Sequence, residues 1–261
     1  MLLSVDIGNT EITGALFAGE RLEGHFRLTT VSQRTPDEWA ATLTTHLTQA
    51  GHSPQEVKAA AIASVAPAVT EDFAAGLEAA TGREPVQIGP GSKLPLTLDV
   101  DEPMTVGADR VVNTLAAVAL YRRDTIVVDF GTATTFDCIT ADTPPRFIGG
   151  AIAPGLVTAA DNLVRRAAKL PATELSPPAR AIGRRSEDCI RAGVLFGAAD
   201  AADGMVRRIR AEWPGKSKPF VVATGGLASR VAPLSKEIEE VEPHLTLIGI
   251  RLAAGHLGLK W

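Results

Sequence analysis

Two short segments of the sequence share a pattern of residues that could handle phosphate. The segment VDIGNTEIT covers residues 5–13, and VDFGTATTF covers residues 128–136. In both, an aspartate (Asp6 or Asp129) ends a predicted strand, and a glycine (Gly8 or Gly131) lies at the tip of a predicted hairpin. Hydroxyl and amide side chains then lead into the next strand.

These residue types suit an oxyanion site. Glycine lets backbone N–H groups approach an oxyanion without a Cβ in the way, and threonine hydroxyls add further donors. The aspartate would repel a bare phosphate, so it requires magnesium, a monovalent ion or water between the two. One copy of the pattern is typical of a turn in which aspartate bonds its own backbone. Two copies, each on the first hairpin of one half of the chain, favour a nucleotide site.

The elements that must position these hairpins also occur twice. The predicted strands of the two repeats are 2–7, 11–18 and 22–30, then 125–130, 133–140 and 146–153. In each repeat they are followed by alternating helices and strands, which predicts an α/β fold of mixed sheets flanked by helices. A long loop at 89–106 and a helix at 107–122 separate the repeats. We therefore expect two similar domains, 1–112 and 113–261, facing each other across a central cleft.

Composition excludes several classes of function. The chain has 261 residues, 45% of them apolar, and a net charge of −4, which argues against a nucleic-acid partner. Two cysteines, Cys138 and Cys189, and five scattered histidines show neither metal-ligand spacing nor a disulfide framework. The N-terminus does not resemble a signal peptide, and no apolar run approaches the ~20 residues of a membrane span. We expect a cytoplasmic protein without a membrane partner.

Further motifs narrow the comparison to one family. They are GADRVVN at 107–113, DFGTATTFD at 129–137, FIGGAIAPGL at 147–156, ATGGLA at 223–228 and LTLIGI at 245–250. Together, and in this order along almost the whole chain, they resemble type III pantothenate kinase. The twin hairpins likewise resemble the two phosphate motifs of the actin-like ATPase superfamily, which includes sugar and acetate kinases. The resemblance implies two ribonuclease-H-like domains.

The resemblance also implies an activity and its cofactors. The family transfers the γ-phosphate of ATP to the terminal hydroxyl of pantothenate, which opens coenzyme A synthesis. ATP would be accompanied by Mg²⁺, and Asp129 would bind an activating monovalent cation, potassium or ammonium. A homodimer is implied as well. The residues implied in ATP binding are Asp6, Ile7, Gly8, Asn9, Thr10, Glu11, Ile12, Thr13, Thr132, Gly225 and Gly226.

The family's substrate motif maps onto the start of the helix at 107–122. Asp109 would be the catalytic base, because a carboxylate in hydrogen-bond reach suffices for a primary alcohol. Arg110 could bind the pantothenate carboxylate or a phosphate through its planar fork. Taken alone, this acid and arginine would be typical of a helix start with a surface ion pair. The residues implied in substrate binding are Val100, Gly107, Ala108, Asp109, Arg110 and Ser186.

Three of these positions depart from the usual pattern of the family. Glu11 stands where asparagine is usual and brings a second carboxylate near the expected phosphates, unless it points away. Val100 replaces a tyrosine that contacts pantothenate, and losing that hydroxyl could cost about 1–3 kcal/mol of binding. Ser186 replaces threonine and keeps the hydroxyl. Val100 leaves open a same-fold kinase for another small hydroxy compound, and Glu11 leaves open a non-catalytic nucleotide-binding regulator.

Overall fold

The computed structural model describes residues 1–261. It divides into two compact units. The first consists of Met1–Ala116 together with Leu245–Trp261, and the second consists of Ala117–His244. No helix is both long enough and apolar enough to cross a membrane.

The chain forms eleven strands and seven α-helices. The strands are β1 (Leu2–Ile7), β2 (Glu11–Ala18), β3 (Arg21–Thr29), β4 (Ala59–Ser64), β5 (Val86–Ile88), β6 (Thr97–Leu98), β7 (Thr125–Phe130), β8 (Ala133–Thr140), β9 (Arg146–Pro154), β10 (Phe220–Thr224) and β11 (Glu240–Val241). The helices are α1 (Pro36–Gln49), α2 (Pro67–Thr81), α3 (Ala108–Tyr121), α4 (Leu156–Arg166), α5 (Ser186–Ala211), α6 (Ala228–Val231) and α7 (Leu245–His256). Three short 3₁₀ turns lie at Pro54–Glu56, Pro103–Thr105 and Ala232–Leu234.

The two units repeat one sheet topology. In the first unit the strand order is β3-β2-β1-β4-β5, with β1–β2 and β2–β3 antiparallel and β1–β4 and β4–β5 parallel. In the second unit β9-β8-β7-β10-β11 follow the same order with the same directions. The first three strands even match in length, with 6, 8 and 9 residues in each unit. The predicted pair of mixed sheets flanked by helices is confirmed.

The sheet of the first unit is covered on both faces. One face buries Leu3, Val5, Ile62 and their neighbours against Trp39, Leu43, Phe73 and other residues of α1 and α2. The other face carries small side chains, including Ala15, Ala61 and Ala63, against α3 and α7. These alanines leave room for two helices, and α7 approaches α3 closely: a Cβ on Gly249 would lie 2.1 Å from the carbonyl oxygen of Val112. The face that carries Asp6 is therefore packed by two helices that touch backbone to backbone.

Helix α7, at the end of the chain, belongs to the first unit. Residues 245–261 belong to the first unit, because the apolar side chains Leu247, Ile250 and Ala254 pack against the alanine-rich face of that unit's sheet. The assignment of two actin-like domains to 1–112 and 113–261 stays a prediction.

The second unit buries its sheet against α4 and α5. Ile126, Val128 and Phe136 of the sheet pack against Leu156, Leu195 and other side chains of these helices. The α4 helix ends at Arg166. The proline-rich segment that follows contains no helix before Ser186.

Candidate active site

The first hairpin predicted to bind phosphate, at residues 5–13, is fixed by strand pairing and hydrogen bonds at the end of β1. Asp6 pairs in register with Thr13 of β2 on one side and with Ala63 of β4 on the other. The three-residue loop after β1 is closed by a hydrogen bond from the Gly8 N–H to the Glu11 carbonyl, 3.0 Å. Thr30 then ties this loop to the end of β3, because its Oγ1 donates to the Gly8 carbonyl at 2.7 Å and its N–H to the Thr10 carbonyl at 3.0 Å.

The predicted ATP-binding residues of this segment divide between core and surface. Ile7 and Ile12 are fully buried, so their side chains belong to the core and only their backbone groups could reach a ligand. Asn9 and Thr10 are exposed at the tip. Glu11 is not left as a bare second carboxylate, because its Oε2 lies 3.0 Å from Nη2 of Arg27 on β3.

The second hairpin has the same construction in the second unit. Asp129 holds the fifth position of β7, as Asp6 does in β1, and both strands show the same burial pattern. Asp129 pairs with Thr135 of β8 and with Thr224 of β10. The loop is one residue shorter, and Gly131 N–H donates to the Ala133 carbonyl at 3.0 Å.

The start of α4 packs directly on this second hairpin. The Gly155 N–H and the Thr158 hydroxyl both donate to the Thr132 carbonyl, at 3.2 and 2.8 Å. A Cβ on Gly155 would lie 2.4 Å from the carbonyl oxygens of Gly131 and Thr132. Gly155 and Thr158 are absent from the predicted site residues, although the PG dipeptide before a helix was a visible signal. They fix the backbone of Thr132, which was predicted to contact ATP.

The predicted glycine pair completes the surroundings of Asp129. Gly225 has φ +90°, which favours glycine, and a Cβ there would lie 2.3 Å from the Asp129 carboxylate oxygen Oδ1. The turn is tied to the end of β7 by the Leu227 N–H, which donates to the Phe130 carbonyl at 3.3 Å. Gly226 follows as an exposed residue. Asp129, Thr132 and Gly225 are thus brought together within one unit.

The surroundings of Asp129 suit a monovalent cation. Because residue 225 has no side chain, its backbone lies directly against the Asp129 carboxylate, at a distance that a Cβ would obstruct. Potassium binds oxygen ligands, and ammonium donates hydrogen bonds to them. The Asp129 carboxylate and the Ala133 carbonyl offer such oxygens in one turn, because both lie within 3.7 Å of the Cβ position of Gly131. The residues present therefore fit the predicted ion.

Asp109 lies in the first turn of α3, where its carboxylate folds back toward the helix start. Its Oδ1 accepts a hydrogen bond from the Arg110 N–H at 2.8 Å and would lie 2.4 Å from a Cβ on Gly107. Burial raises the pKa of Asp109 above its usual value, and this effect outweighs the hydrogen bond and the positive charge of Arg110, which act to lower it. A carboxyl group with a raised pKa is a stronger base when ionised, as a proton acceptor must be.

Asp109 and Asp6 belong to the same end of the first unit's sheet. Gly107 lies against Val65, with 3.4 Å from its Cβ position to Val65 Cγ1, and the Val65 N–H donates to the Ile7 carbonyl at 3.0 Å. The turn that carries Asp109 therefore borders the carboxyl end of β1, which bears Asp6. Among the other predicted substrate residues, Val100 and Arg110 lie in this unit and are half-buried.

Ser186 lies in the second unit, as the first residue of α5, and lines a largely apolar cavity of about 900 Å³. Leu156 and Leu163 of α4 and Val194 and Met205 of α5 form much of its wall. Sequence reasoning did not identify this cavity, because its walls come from two helices separated by the proline-rich segment.

Comparisons with known proteins agree on one family. The family model of type III pantothenate kinase matches residues 2–208. A type III pantothenate kinase of Moorella thermoacetica is 42% identical over 252 residues, which cover 97% of this chain and 98% of that protein.

Two solved structures share the fold at low identity. One is described as a Baf family transcriptional activator from Campylobacter jejuni, with a TM-score of 0.61, 16% identity and 98% of each chain covered. The other is described as a 2-dehydro-3-deoxygalactonokinase from Sinorhizobium meliloti, with a TM-score of 0.58, 14% identity and all of each chain covered. These likenesses concern the fold alone, and they agree with the predicted α/β fold of mixed sheets flanked by helices. With two equivalent aspartate hairpins, an acid at the head of α3 and a family match over most of its length, the chain belongs to the type III pantothenate kinase family.

Proposed function

We propose that the protein transfers the γ-phosphate of ATP to the terminal hydroxyl of pantothenate, the first step of coenzyme A synthesis. Membership of the family supports this reaction. The observation that carries it is the equivalent placing of Asp6 and Asp129, each at the fifth position of the first strand of its sheet. One such carboxylate is common in turns, whereas two in matching positions suit a polyphosphate bound through cations. Because ATP is an intracellular cosubstrate, we place the reaction in the cytoplasm.

Positioning and charge stabilisation dominate in this chemistry. Phosphoryl transfer passes through a loose transition state in which little covalent chemistry is left to the protein. Asp109 accepts the proton of the attacking hydroxyl, and the close approach of Gly107 keeps its carboxylate at the head of α3. Arg110, next in the chain, binds an anionic group of the substrate through its planar fork. In each unit the loop of the aspartate hairpin carries hydroxyl and backbone N–H groups of the kind that bind phosphates.

Cations compensate the acids of the hairpins. Mg²⁺ would accompany ATP, and the Asp129 carboxylate would hold potassium or ammonium. Such an ion, when bound, neutralises part of the negative charge of the phosphates. The turn at Gly225 supports this assignment, because it brings backbone and no side chain against the Asp129 carboxylate.

A coupled assay of ADP release tests the function and the ion together. With ATP and Mg²⁺, we expect turnover only when pantothenate is present, and we expect at least about tenfold slower turnover when sodium replaces potassium. Mass spectrometry of the product should give phosphopantothenate. ADP release that is independent of pantothenate would contradict the reaction. Equal rates in sodium and potassium would contradict the ion alone.

We also propose that the protein is a homodimer through its second unit. Large apolar side chains of this unit are exposed, among them Ile152 at 67%, Val157 at 46% and Ile182 at 81%. Leu163, 42% exposed, lines the apolar cavity beside Ser186. Exposed apolar groups that flank an apolar cavity are typical of a surface that a partner covers.

A charge on this surface should prevent association. We expect Leu163→Glu to run as a monomer in size-exclusion chromatography with light scattering, where the wild type has twice the mass of 27.3 kDa, because an ionised carboxylate is costly to bury in an apolar interface. Met104→Glu, which changes an apolar residue of the first unit that is 67% exposed, is the control and should remain a dimer. A monomeric wild type would contradict the proposal.

A further inference from the structure

An ion pair lies beside the first phosphate hairpin on the face of the sheet that carries Asp6. Thr13 pairs with Asp6 on β1 and with Arg27 on β3, so the three residues form one row across three strands. Residues directly opposite each other in a sheet project from the same face. Glu11, two residues before Thr13, shares that face and contacts Arg27 at 3.0 Å.

The second hairpin has neither member of this pair. The position equivalent to Glu11, first in the second strand, is Ala133, and the residue opposite Thr135 on the third strand is Ile152. The basic residue therefore occurs in the hairpin that carries the additional acid, and the hairpin without an additional acid has an apolar residue there. The basic residue thus accompanies the additional acid Glu11 and is not a shared feature of the two hairpins.

We propose that Arg27 is a positioning residue of the ATP site, which holds the Glu11 carboxylate away from the phosphates and cancels its charge. This inference rests on the proposed binding of ATP at the Asp6 hairpin. Without Arg27, the hairpin would present Asp6 and Glu11 as two carboxylates to a polyanion. With it, the extra charge of Glu11 is compensated, and the cation requirement of the hairpin returns to that of Asp6 alone.

The exposure of the Arg27–Glu11 ion pair sets how much its loss should change the affinity for ATP. The side chains of Arg27 and Glu11 are 49% and 45% exposed, so water and salt screen the pair. Exposed ion pairs are worth a fraction of a kcal/mol up to about one, which corresponds to a change of about two- to fivefold in an equilibrium constant. Arg27→Gln should therefore weaken ATP binding by about two- to fivefold at low salt and by less at high salt.

Calorimetric titration with ATP and Mg²⁺ tests the proposal in four proteins: the wild type, Arg27→Gln, Glu11→Gln and the double variant. We expect Glu11→Gln to bind ATP at least as tightly as the wild type, and the double variant to return to within about 1.5-fold of the wild type, because removal of the acid removes what Arg27 compensates. Arg27→Lys, which keeps the charge, should also stay close to the wild type. Arg21→Gln is the matched control, since Arg21 pairs with Glu23 on the same strand, about 20 Å from Arg27 at ~3.3 Å per residue.

Each outcome has a distinct meaning. A double variant as weak as Arg27→Gln would overturn the proposal, because Arg27 would then act on the phosphates or the fold by itself. Unchanged affinity in Arg27→Gln would overturn it as well, and equal weakening in Arg21→Gln would show a general charge effect. Thermal unfolding of each variant separates a loss of binding from a loss of fold. A folded wild type that does not bind ATP would overturn the proposed function, and the role of Arg27 with it.

Discussion

Asp109→Asn is expected to lower kcat by about 10²- to 10⁴-fold, the range contributed by a positioned proton acceptor. The amide is nearly the same size as the carboxylate and can still accept a hydrogen bond from the Arg110 N–H, which lies at 2.8 Å. It cannot take up a proton. We therefore expect the affinity for ATP to stay within a few-fold of the wild type, measured by titration, while turnover in the coupled assay is lost.

The pKa of Asp109 gives this prediction a second readout. In the folded protein, burial raises the pKa of this carboxyl group above its usual value of 3.8. The base works only when it is ionised, so turnover should fall as the pH falls through the raised pKa, and the acid limb of kcat/KM should lie above 3.8.

The contribution of Asp109 to folding stability should change with pH in the opposite direction to turnover. A carboxyl group whose pKa is raised by burial favours the folded state below its unfolded pKa, and this advantage is lost as the pH rises through the folded pKa. At neutral pH the ionised carboxylate therefore opposes folding, and Asp109→Asn should have a Tm equal to or above that of the wild type. An inactive variant with a lower Tm would point to damage of the fold instead. Asp101→Asn, on the exposed segment before α3, is the matched control and should keep kcat within about twofold. A fully active Asp109→Asn enzyme would contradict the role of Asp109 as the base.

Local signals sufficed to predict the hairpins and the repeat. An aspartate and a glycine between runs of strand-forming residues define a hairpin within about ten residues, and three such strands in a row define an antiparallel meander. This is why the bounds of β1, β2 and β7 agree with those expected from sequence.

The sequence pattern did not predict the register between β2 and β3, and Arg27 shows why. Counted from the turn where Ala18 pairs with Arg21, a regular ladder would place Phe26 opposite Thr13. A bulge between Leu16 and Phe17 shifts the pairing by one residue and places Arg27 there instead. A shift of one residue exchanges the two faces of a strand, so the bulge decides whether Glu11 has a basic partner.

The same limit applies to packing between distant segments. The alanines of β4 leave room for a helix close to the sheet, but nothing in the sequence pattern indicates which helix covers the strand, and α7 comes from the far end of the chain. The structural roles of Gly155 and Gly225 likewise depend on the hairpin that each contacts. Their neighbours, Thr132 and Asp129, are far away in sequence.

Gly225→Ala should abolish most of the potassium-dependent activity, because it places a methyl group where the second unit has no space. The new Cβ would lie 2.3 Å from the Asp129 Oδ1 and 2.8 Å from the Phe130 backbone N and C atoms. The φ of +90° adds strain for any residue with a side chain. Either the turn or the Asp129 carboxylate must move, and a displacement of about 1 Å in a catalytic site can cost about 10²-fold in rate. We therefore expect kcat in potassium to fall by at least about 10²-fold.

Two further variants separate the site from the fold. Gly204→Ala adds a methyl group to α5 of the same unit, where the nearest atom to the new Cβ is Nη2 of Arg207 at 4.0 Å, and it should keep both activity and Tm. Asp129→Asn removes the charge without any strain in the turn, so it should fold normally and lose the difference between potassium and sodium. If Gly225→Ala kept its potassium-stimulated turnover, the approach of this turn to Asp129 would have no part in binding the ion. If it lost turnover while Asp129→Asn kept the wild-type response to potassium, the turn would act on the nucleotide and the cation would have to lie elsewhere.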